Sequence, residues 1–349
     1  MKQNIFGMSL PQLQDCLKEF KLPAYRAKQI AEWMYQKHIL DFQQMTNLPV
    51  ALRTSLTDNL DIFRVKLLER QDSRDGKTSK FLLELLDGIA VESVLMRQSY
   101  GNSVCLSTQA GCNMGCTFCA STLHGMVRNL TQGEILAQAL YMNELLNEEE
   151  QSINTIVIMG SGEPLANYDN VLNFIRLCHE PYTMNLGYRH IAVSTAGIVP
   201  MIQELAKEDL PITLSISLHA PNNVIRSKLM PINDKFDIHA VVAAGKHYAN
   251  ITKRRVTYEY ILIAGENDQA EHAEELSRLL RGQMANVNLI PINPVVERGL
   301  KRPSLNQIKA FEEILNNNHI AVTVRREMGN DIQAACGQLR NKHVAENQL

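Results

Sequence analysis

The stretch CNMGCTFC at 112–119 decides the reading of this chain: Cys112, Cys116 and Cys119 stand in a Cys-x3-Cys-x2-Cys spacing with no fourth thiol close by. A loop that gathers three thiolates can hold an iron–sulfur cluster and leave one metal position open to a group that is not protein. A structural zinc site closes its tetrahedron with a fourth Cys or His instead. His124, five residues beyond Cys119, keeps a Cys3His site open on counting alone. Three unrelated structural thiols are the plainest alternative.

Outward from this loop, short β-branched runs alternate with helical stretches at the cadence of repeated βα units. Strands are expected at 103–107, 153–159, 190–194, 212–217, 255–262 and 287–291. Thr131 and Glu134 form a capping-box pattern that starts a helix directly after the cysteine loop. In such folds the chemistry sits at the C-terminal ends of the strands, where loops leave a rigid core. The cysteine loop, the turn GSGEP at 160–164, Ser194, the run Ser217-Leu218-His219, and Asn293 all fall at those ends. Gly160 and Gly162 let the backbone approach a ligand, and Glu163 can receive an ammonium group. Ser194, Ser217, His219 and Asn293 offer donors and acceptors for ribose hydroxyls and a base edge, or for local backbone. No GxGxxG fingerprint is present, which argues against a Rossmann-type methyltransferase.

The 349 residues, 45% of them hydrophobic, suit one large α/β domain with a small accessory domain. No run of some eighteen apolar residues exists and the first residues lack a secretory apolar core, so a cytoplasmic protein is expected, with no membrane partner. Residues 1–62 read as a small helical domain: Ser9 caps a helix with Leu10, Leu13, Leu17 and Phe20 on one face, and Tyr25, Ile30, Trp33 and Met34 suggest a second. Residues 63–97 read as a β-rich connector with hairpin turns at Asp75-Gly76 and Asp87-Gly88. Residues 98–331 hold the βα core, and 332–349 a C-terminal segment. A net charge of −2 does not advertise nucleic acid, so any RNA grip must be local. Candidates are Arg226, Lys228, Lys253 to Arg255, Arg298, Lys301, Arg302, Arg325, Arg326, Arg340 and Lys342, beside the basic residues of the second helix.

The cysteine loop, with Phe118 just before its last thiol, resembles the CxxxCxxC signature of radical S-adenosylmethionine (SAM) enzymes. Together with MGSGEPL, ISLHAPN, RSKLMPIN, VNLIPINP and AACGQLR, it resembles the RlmN/Cfr family, over about residues 7–342. The resemblance implies a partial (β/α)6 barrel and a 4Fe-4S cluster held by Cys112, Cys116 and Cys119. It implies SAM contacts at Gly162, Glu163, Ser194, Ser217, Leu218, His219 and Asn293, and RNA binding by the N-terminal helices.

What the family does is methylate an adenosine of 23S rRNA and, in relatives, the adenosine beside the anticodon of tRNAs. The resemblance implies two SAM molecules per turnover: one methylates Cys336, and the second, cleaved reductively, yields a radical that activates that methyl group for addition to the base. Cys105 then releases the product by forming a disulfide with Cys336, and Glu92 matches the family's proton acceptor. Taken singly, each of these two cysteines reads as a buried apolar residue. An external reductant such as flavodoxin or ferredoxin is implied. Pro164 within GEPLAN, with RNLTQGEI and RREMGNDI, sides with C2 methylation over the Cfr-type C8 reaction. A zinc-stabilised RNA-binding protein without catalysis is the alternative from another class. Cys16 and Cys178 read as ordinary buried thiols.

Overall fold

The computed structural model describes residues 2–293, 298–325, 332, 340–341 and 343. It begins with β1 (Gln3–Asn4) and the helices α1 (Leu10–Lys18), α2 (Tyr25–Tyr35) and α3 (Val50–Asn59), then β2 (Leu60–Asp61), which pairs in parallel with β1. Ser9 caps α1 as expected, in a reciprocal capping box with Gln12. Leu13 and Leu17 are buried along that helix, and α2 buries Ile30 and Met34. Tyr25 opens α2 as an exposed residue, with the Arg26 guanidinium 4.9 Å from its ring centroid.

Three strands follow, β3 (Lys66–Asp72), β4 (Thr78–Glu84) and β5 (Ala90–Gln98), in an antiparallel meander that turns at Asp75-Gly76 and Asp87-Gly88. Both glycines take positive φ, +68° and +81°, the conformation such turns require. The remaining elements are β6 (Gly101–Cys105), β7 (Gln109–Gly111), β8 (Met126–Asn129), α4 (Gln132–Asn147), β9 (Ile153–Ile158), α5 (Tyr168–His179), β10 (Ile191–Thr195), α6 (Val199–Leu205), β11 (Thr213–Ser217), α7 (Asn223–Leu229), α8 (Ile238–Thr252), β12 (Val256–Leu262), α9 (Ala270–Leu280), β13 (Ala285–Pro291), α10 (Leu305–Asn317) and β14 (Ala321–Val324).

The six expected barrel strands all form, as β6 and β9 to β13, within two residues of the expected bounds. Two features go beyond the expectation. A seventh parallel strand, β14, adds itself beside β13. The meander is not a separate connector, because β5 pairs antiparallel with β6, and the whole forms one ten-stranded sheet.

Alternation along the strands sorts side chains by face. Ile156, Val193, Leu214, Ile216, Tyr258 and Leu289 turn toward the helices and join the main apolar cluster. Across the opposite face, Ser194 stands in register with Ser215 and Thr257, and Ser217 with Glu259 and Asn288. The sheet is therefore apolar where helices cover it and polar where a ligand would lie. Among the described residues no helix is long and apolar enough to cross a membrane.

The N-terminal helices share that apolar cluster with the barrel. Gly7, at φ +87°, lies against Gly133 at the start of α4 so closely that a Cβ on Gly7 would sit 2.0 Å from the Gly133 Cα. Tyr35 completes the joint, accepting from the Gly7 N–H at 2.9 Å and donating to the Met8 carbonyl at 3.0 Å. Gly133→Ala is expected to force these backbones apart and to lower the urea midpoint, at a cost of about 1–3 kcal/mol typical of overpacking. An unchanged midpoint would show that the joint yields freely.

Candidate active site

The cysteine loop is clamped at its neck. β7 and β8 pair antiparallel, Gln109 opposite Asn129 and Gly111 opposite Met126. A Cβ on Gly111 would lie 1.9 Å from the Gly125 carbonyl oxygen, so only glycine lets the two sides of the neck meet. Inside the loop, the Thr122 hydroxyl donates to the Cys116 and Cys119 carbonyls at 3.1 and 2.9 Å, and the Thr117 N–H donates to the Leu229 carbonyl of α7 at 3.0 Å. Cys112 and Cys116 are buried and Cys119 is half-buried.

Burial pushes the Cys112 thiol up to about 11 and Cys116 further still, and the other thiols of the loop add repulsion against ionisation. Three thiolates can exist here only around a cationic centre, which deprotonates its ligands. Among the described residues no group of His, Cys, Asp and Glu side chains converges on a site for a single metal ion. A Cys3His zinc site with His124 needs such convergence, with every donor about 2 Å from one ion. A polynuclear cluster spreads its ligands over several irons, so the three thiols fit a 4Fe-4S group.

At the end of β9, Glu163 is 3% exposed. Its carboxylate accepts from Thr195 Oγ1 at 2.7 Å, Ala196 N at 2.6 Å and Leu165 N at 3.0 Å. Desolvation raises its pKa, against the pull of these three bonds. All three donors are neutral. A carboxylate offers about four acceptor positions, so one remains for a cation such as the SAM ammonium. The glycines before it also serve the packing of the chain itself. A Cβ on Gly160 would meet the Leu106 carbonyl at 2.5 Å, and one on Gly162, at φ +109°, the Gln109 N at 2.7 Å. They permit close packing against the chain's own strand end.

Ser194 and Ser217 face each other across β10 and β11, hydroxyl to hydroxyl at 3.5 Å. Leu218 is fully buried. His219 takes φ +58°, and its Nδ1 accepts from the Ile261 N–H at 3.0 Å, which leaves the hydrogen on Nε2. Burial, then the Arg226 charge, holds its pKa down at about 3, so the ring is neutral at physiological pH. The Phe118 ring meets it edge to face at 4.8 Å. Asn293 follows β13 and is half-buried. The strand ends thus bring the cysteine loop together with the Ser217-Leu218-His219 run.

Glu92 and Cys105 lie on neighbouring strands. Val94 of β5 pairs with Cys105 of β6, and Glu92 stands two residues before Val94, so all three share one face. Both are buried, at 4% and 7% exposure. Ser107 ties this edge to the glycine turn, donating to the Glu92 carbonyl at 2.7 Å and accepting from Ser161 N at 3.0 Å. Gln138 of α4, fully buried, holds Ser107 in turn by its N–H at 2.9 Å and its carbonyl at 3.0 Å. The Arg340 N–H donates to the Glu92 carboxylate, and Asn341 Nδ2 donates to the Ala120 carbonyl at 2.7 Å. Cys336 lies outside the described residues.

The radical SAM superfamily model matches residues 106–277, and the model of the ribosomal RNA large subunit methyltransferase N-terminal domain matches residues 3–62. A probable dual-specificity RNA methyltransferase RlmN of Symbiobacterium thermophilum is 54% identical over 98% of this chain and 92% of its own length. Another of the same description from Bacillus cereus is 50% identical over 99% and 95%. This chain belongs to the RlmN family. The fold agrees: a radical SAM methyltransferase structure from Sphaerobacter thermophilus superposes with a TM-score of 0.93 at 42% identity, over 96% of this chain and 98% of that one. Family membership implies a 4Fe-4S cluster and SAM, which suit the thiols and the carboxylate described above.

Within this RlmN-family site, several basic residues expected to grip RNA are placed otherwise. Arg226 and Arg340 are buried, at 0% and 4% exposure. Lys253 to Arg255 precede β12 and so stand at the N-terminal end of the barrel, away from the cysteine loop. Arg298 stays on the site's side, donating to Thr122 Oγ1 at 3.0 Å. Arg326 and Lys342 lie outside the described residues. Cys178 is fully buried, whereas Cys16 is half-buried rather than buried. Asn267, missed in the sequence, is fully buried and holds the His219 carbonyl at 2.9 Å. Its place five residues past β12 carried no motif.

Anaerobic reconstitution is expected to load about four irons per chain. Replacing Cys112, Cys116 or Cys119 by Ala should reduce SAM cleavage to background. Stoichiometric zinc without iron, after strictly anaerobic purification, would remove the cluster.

Proposed function

We propose that this RlmN-family enzyme methylates C2 of an adenosine in 23S rRNA and of the adenosine adjacent to the anticodon in tRNAs, in the cytoplasm, with flavodoxin or ferredoxin as electron donor. The observation that carries the reading is identity of 50% and more, over nearly full length, with relatives described as dual-specificity RNA methyltransferases. The polar face of the sheet, with Glu92 and Cys105 on the same face of the neighbouring strands β5 and β6, supports the same chemistry.

When bound, the cluster supplies the electron that makes SAM a source of carbon radical. The chain's own residues do the rest. Glu163 receives the SAM ammonium; Gly162, Ser194, Ser217, Leu218, His219 and Asn293 frame its backbone-facing and nucleoside edges. With Nδ1 engaged, His219 offers only its Nε2 hydrogen, a donor for a ribose oxygen or a ring nitrogen.

Cys336 takes a methyl group from a first SAM and carries it to the base, so that two SAM molecules are consumed per turnover. Glu92 accepts the proton lost from C2. Glu92 stands diagonal to Cys105, two residues before the Val94 that pairs with it, on the same face of the sheet. Cys105, as thiolate, attacks the Cys336 sulfur; the sulfur–carbon bond breaks, the departing methylene carbon keeps the electron pair and takes a proton to become the methyl group, and a disulfide remains for an external thiol to reduce. Arg340 and Asn341, four and five residues after Cys336, are bonded at Glu92 and beside the cysteine loop, which supports a C-terminal segment working at this edge. The domain division proposed with this reading is a helical RNA-binding unit at 1–62, the meander at 63–97, the radical SAM core at 98–331 and the Cys336 segment at 332–349.

Chromatography of nucleosides from RNA treated with the reconstituted enzyme should show 2-methyladenosine. A predominance of 8-methyladenosine would transfer the chain to the Cfr-type reaction.

The two thiols fail differently when removed. Cys336→Ala should carry no methyl group and modify no RNA. Cys105→Ala should be isolated covalently joined to RNA, because the bridge forms and is not released. The double substitution should lose the crosslink. Normal turnover by Cys105→Ala, or a methylated peptide mapping to Cys16 or Cys178, would refute the scheme.

A further inference from the structure

Arg226 is a fully buried guanidinium on α7. Its Nη2 donates to the Ala196 carbonyl at 2.7 Å and to the Ser217 carbonyl at 3.4 Å, the backbone at the ends of β10 and β11. Its Nη1 donates to Asn233 Oδ1 at 3.0 Å and to the Phe236 carbonyl at 3.1 Å. Every acceptor is neutral, and the buried Nε–H has none. No carboxylate among the described residues forms an ion pair with it, Asp237 acting only from a distance. One turn along the same helix, the Leu229 carbonyl receives the N–H of Thr117, inside the cysteine loop. Cys116 packs with Ala196, Leu229 and Met230 in one small apolar cluster.

A buried charge without a counter-ion costs several kcal/mol, which an anion assembled beside it on a bound group would offset. Three thiolates around a 4Fe-4S core are such an anion, one charge more negative when reduced. Potentials of these clusters follow the net charge and hydrogen bonding around them. We propose that Arg226 is a positioning residue whose charge is the counter-ion of the cluster on Cys112, Cys116 and Cys119, raising its reduction potential while its hydrogen bonds hold the strand ends that receive SAM. The proposal rests on the cluster reading above. It assigns a task to a guanidinium that is fully buried and so withdrawn from an RNA phosphate.

The test is a potentiometric titration of the reconstituted full chain without SAM, followed by the electron paramagnetic resonance of the reduced cluster and normalised to iron. Arg226→Met removes the charge at similar length. Asn233→Asp keeps Arg226 and sets a carboxylate against it. Both should lower the reduced-to-oxidised ratio at a fixed poise roughly tenfold, equivalent to about 59 mV for a one-electron couple. Arg226→Lys should stay within about twofold of the wild type. If Arg226→Met fails to fold, Asn233→Asp carries the comparison alone. Equal potentials in wild type and Asn233→Asp would overturn the proposal and leave the cluster in place. A wild-type chain that binds no iron would sink the cluster reading itself.

Discussion

The site depends on Ala196, the residue after β10, which is held from both sides by buried charges of opposite sign. Its N–H donates to the Glu163 carboxylate at 2.6 Å, and its carbonyl accepts from the Arg226 guanidinium at 2.7 Å. The two charges do not touch each other. Had they paired directly they would have neutralised one another and left nothing for a ligand. Kept apart by one residue of backbone, each is held by neutral dipoles in place of the other. A zwitterionic amino acid and an anionic metal centre are the groups that such a divided pair can accept side by side.

The sheet makes that division possible. Parallel strands end together, so backbone groups at one end lack ladder partners and must find side chains. Gln138, Ser107, Asn267 and Arg226 do this, and each also fixes something the chemistry needs: the Glu92 strand, the glycine turn, His219, the ends of β10 and β11. Structural satisfaction and site geometry are here the same hydrogen bonds. Loss of one of these side chains is therefore felt at the site without any contact to the reacting atoms.

Most of this fold was legible because its signals are periodic. Six strands, the capping box at Thr131 and the hairpin turns each depend on local pattern, and the strand-end rule then put the cysteine loop, the glycine turn and the Ser217-Leu218-His219 run on one side. What escaped depends on pairing or burial. Nothing local in residues 63–97 says which strand will lie beside β5, so the meander read as a connector rather than as part of the barrel sheet. The β14 run IAVTVR alternates as a strand should, yet it is short and lies between VNLIPINP and the C-terminal motifs without carrying one itself. Arg226 reads in the sequence as a candidate grip on RNA phosphate, although Leu229 and Met230, three and four residues on, put it on the buried side of its helix. Lys253 to Arg255 could have been excluded by the same strand-end rule that located the site, since they precede a strand instead of following one.

The thiols show why the fold and its metal centre form one problem. Burial resists ionisation at Cys112 and Cys116, and the loop that buries them is closed by backbone contacts at Gly111 and Thr117 rather than by the sulfurs. A chain can therefore close the loop with protonated thiols and wait. Loading must then expel those protons, and the free energy for this comes from the iron–sulfur bonds together with the attraction of a cation already in place. Arg226, buried behind the loop, adds a fixed positive charge to that of the iron, and Arg298 adds another where it donates to Thr122 Oγ1. With them, the apo site is electrostatically biased toward an anion before any metal arrives, and the same bias persists as extra stabilisation of the reduced state afterwards.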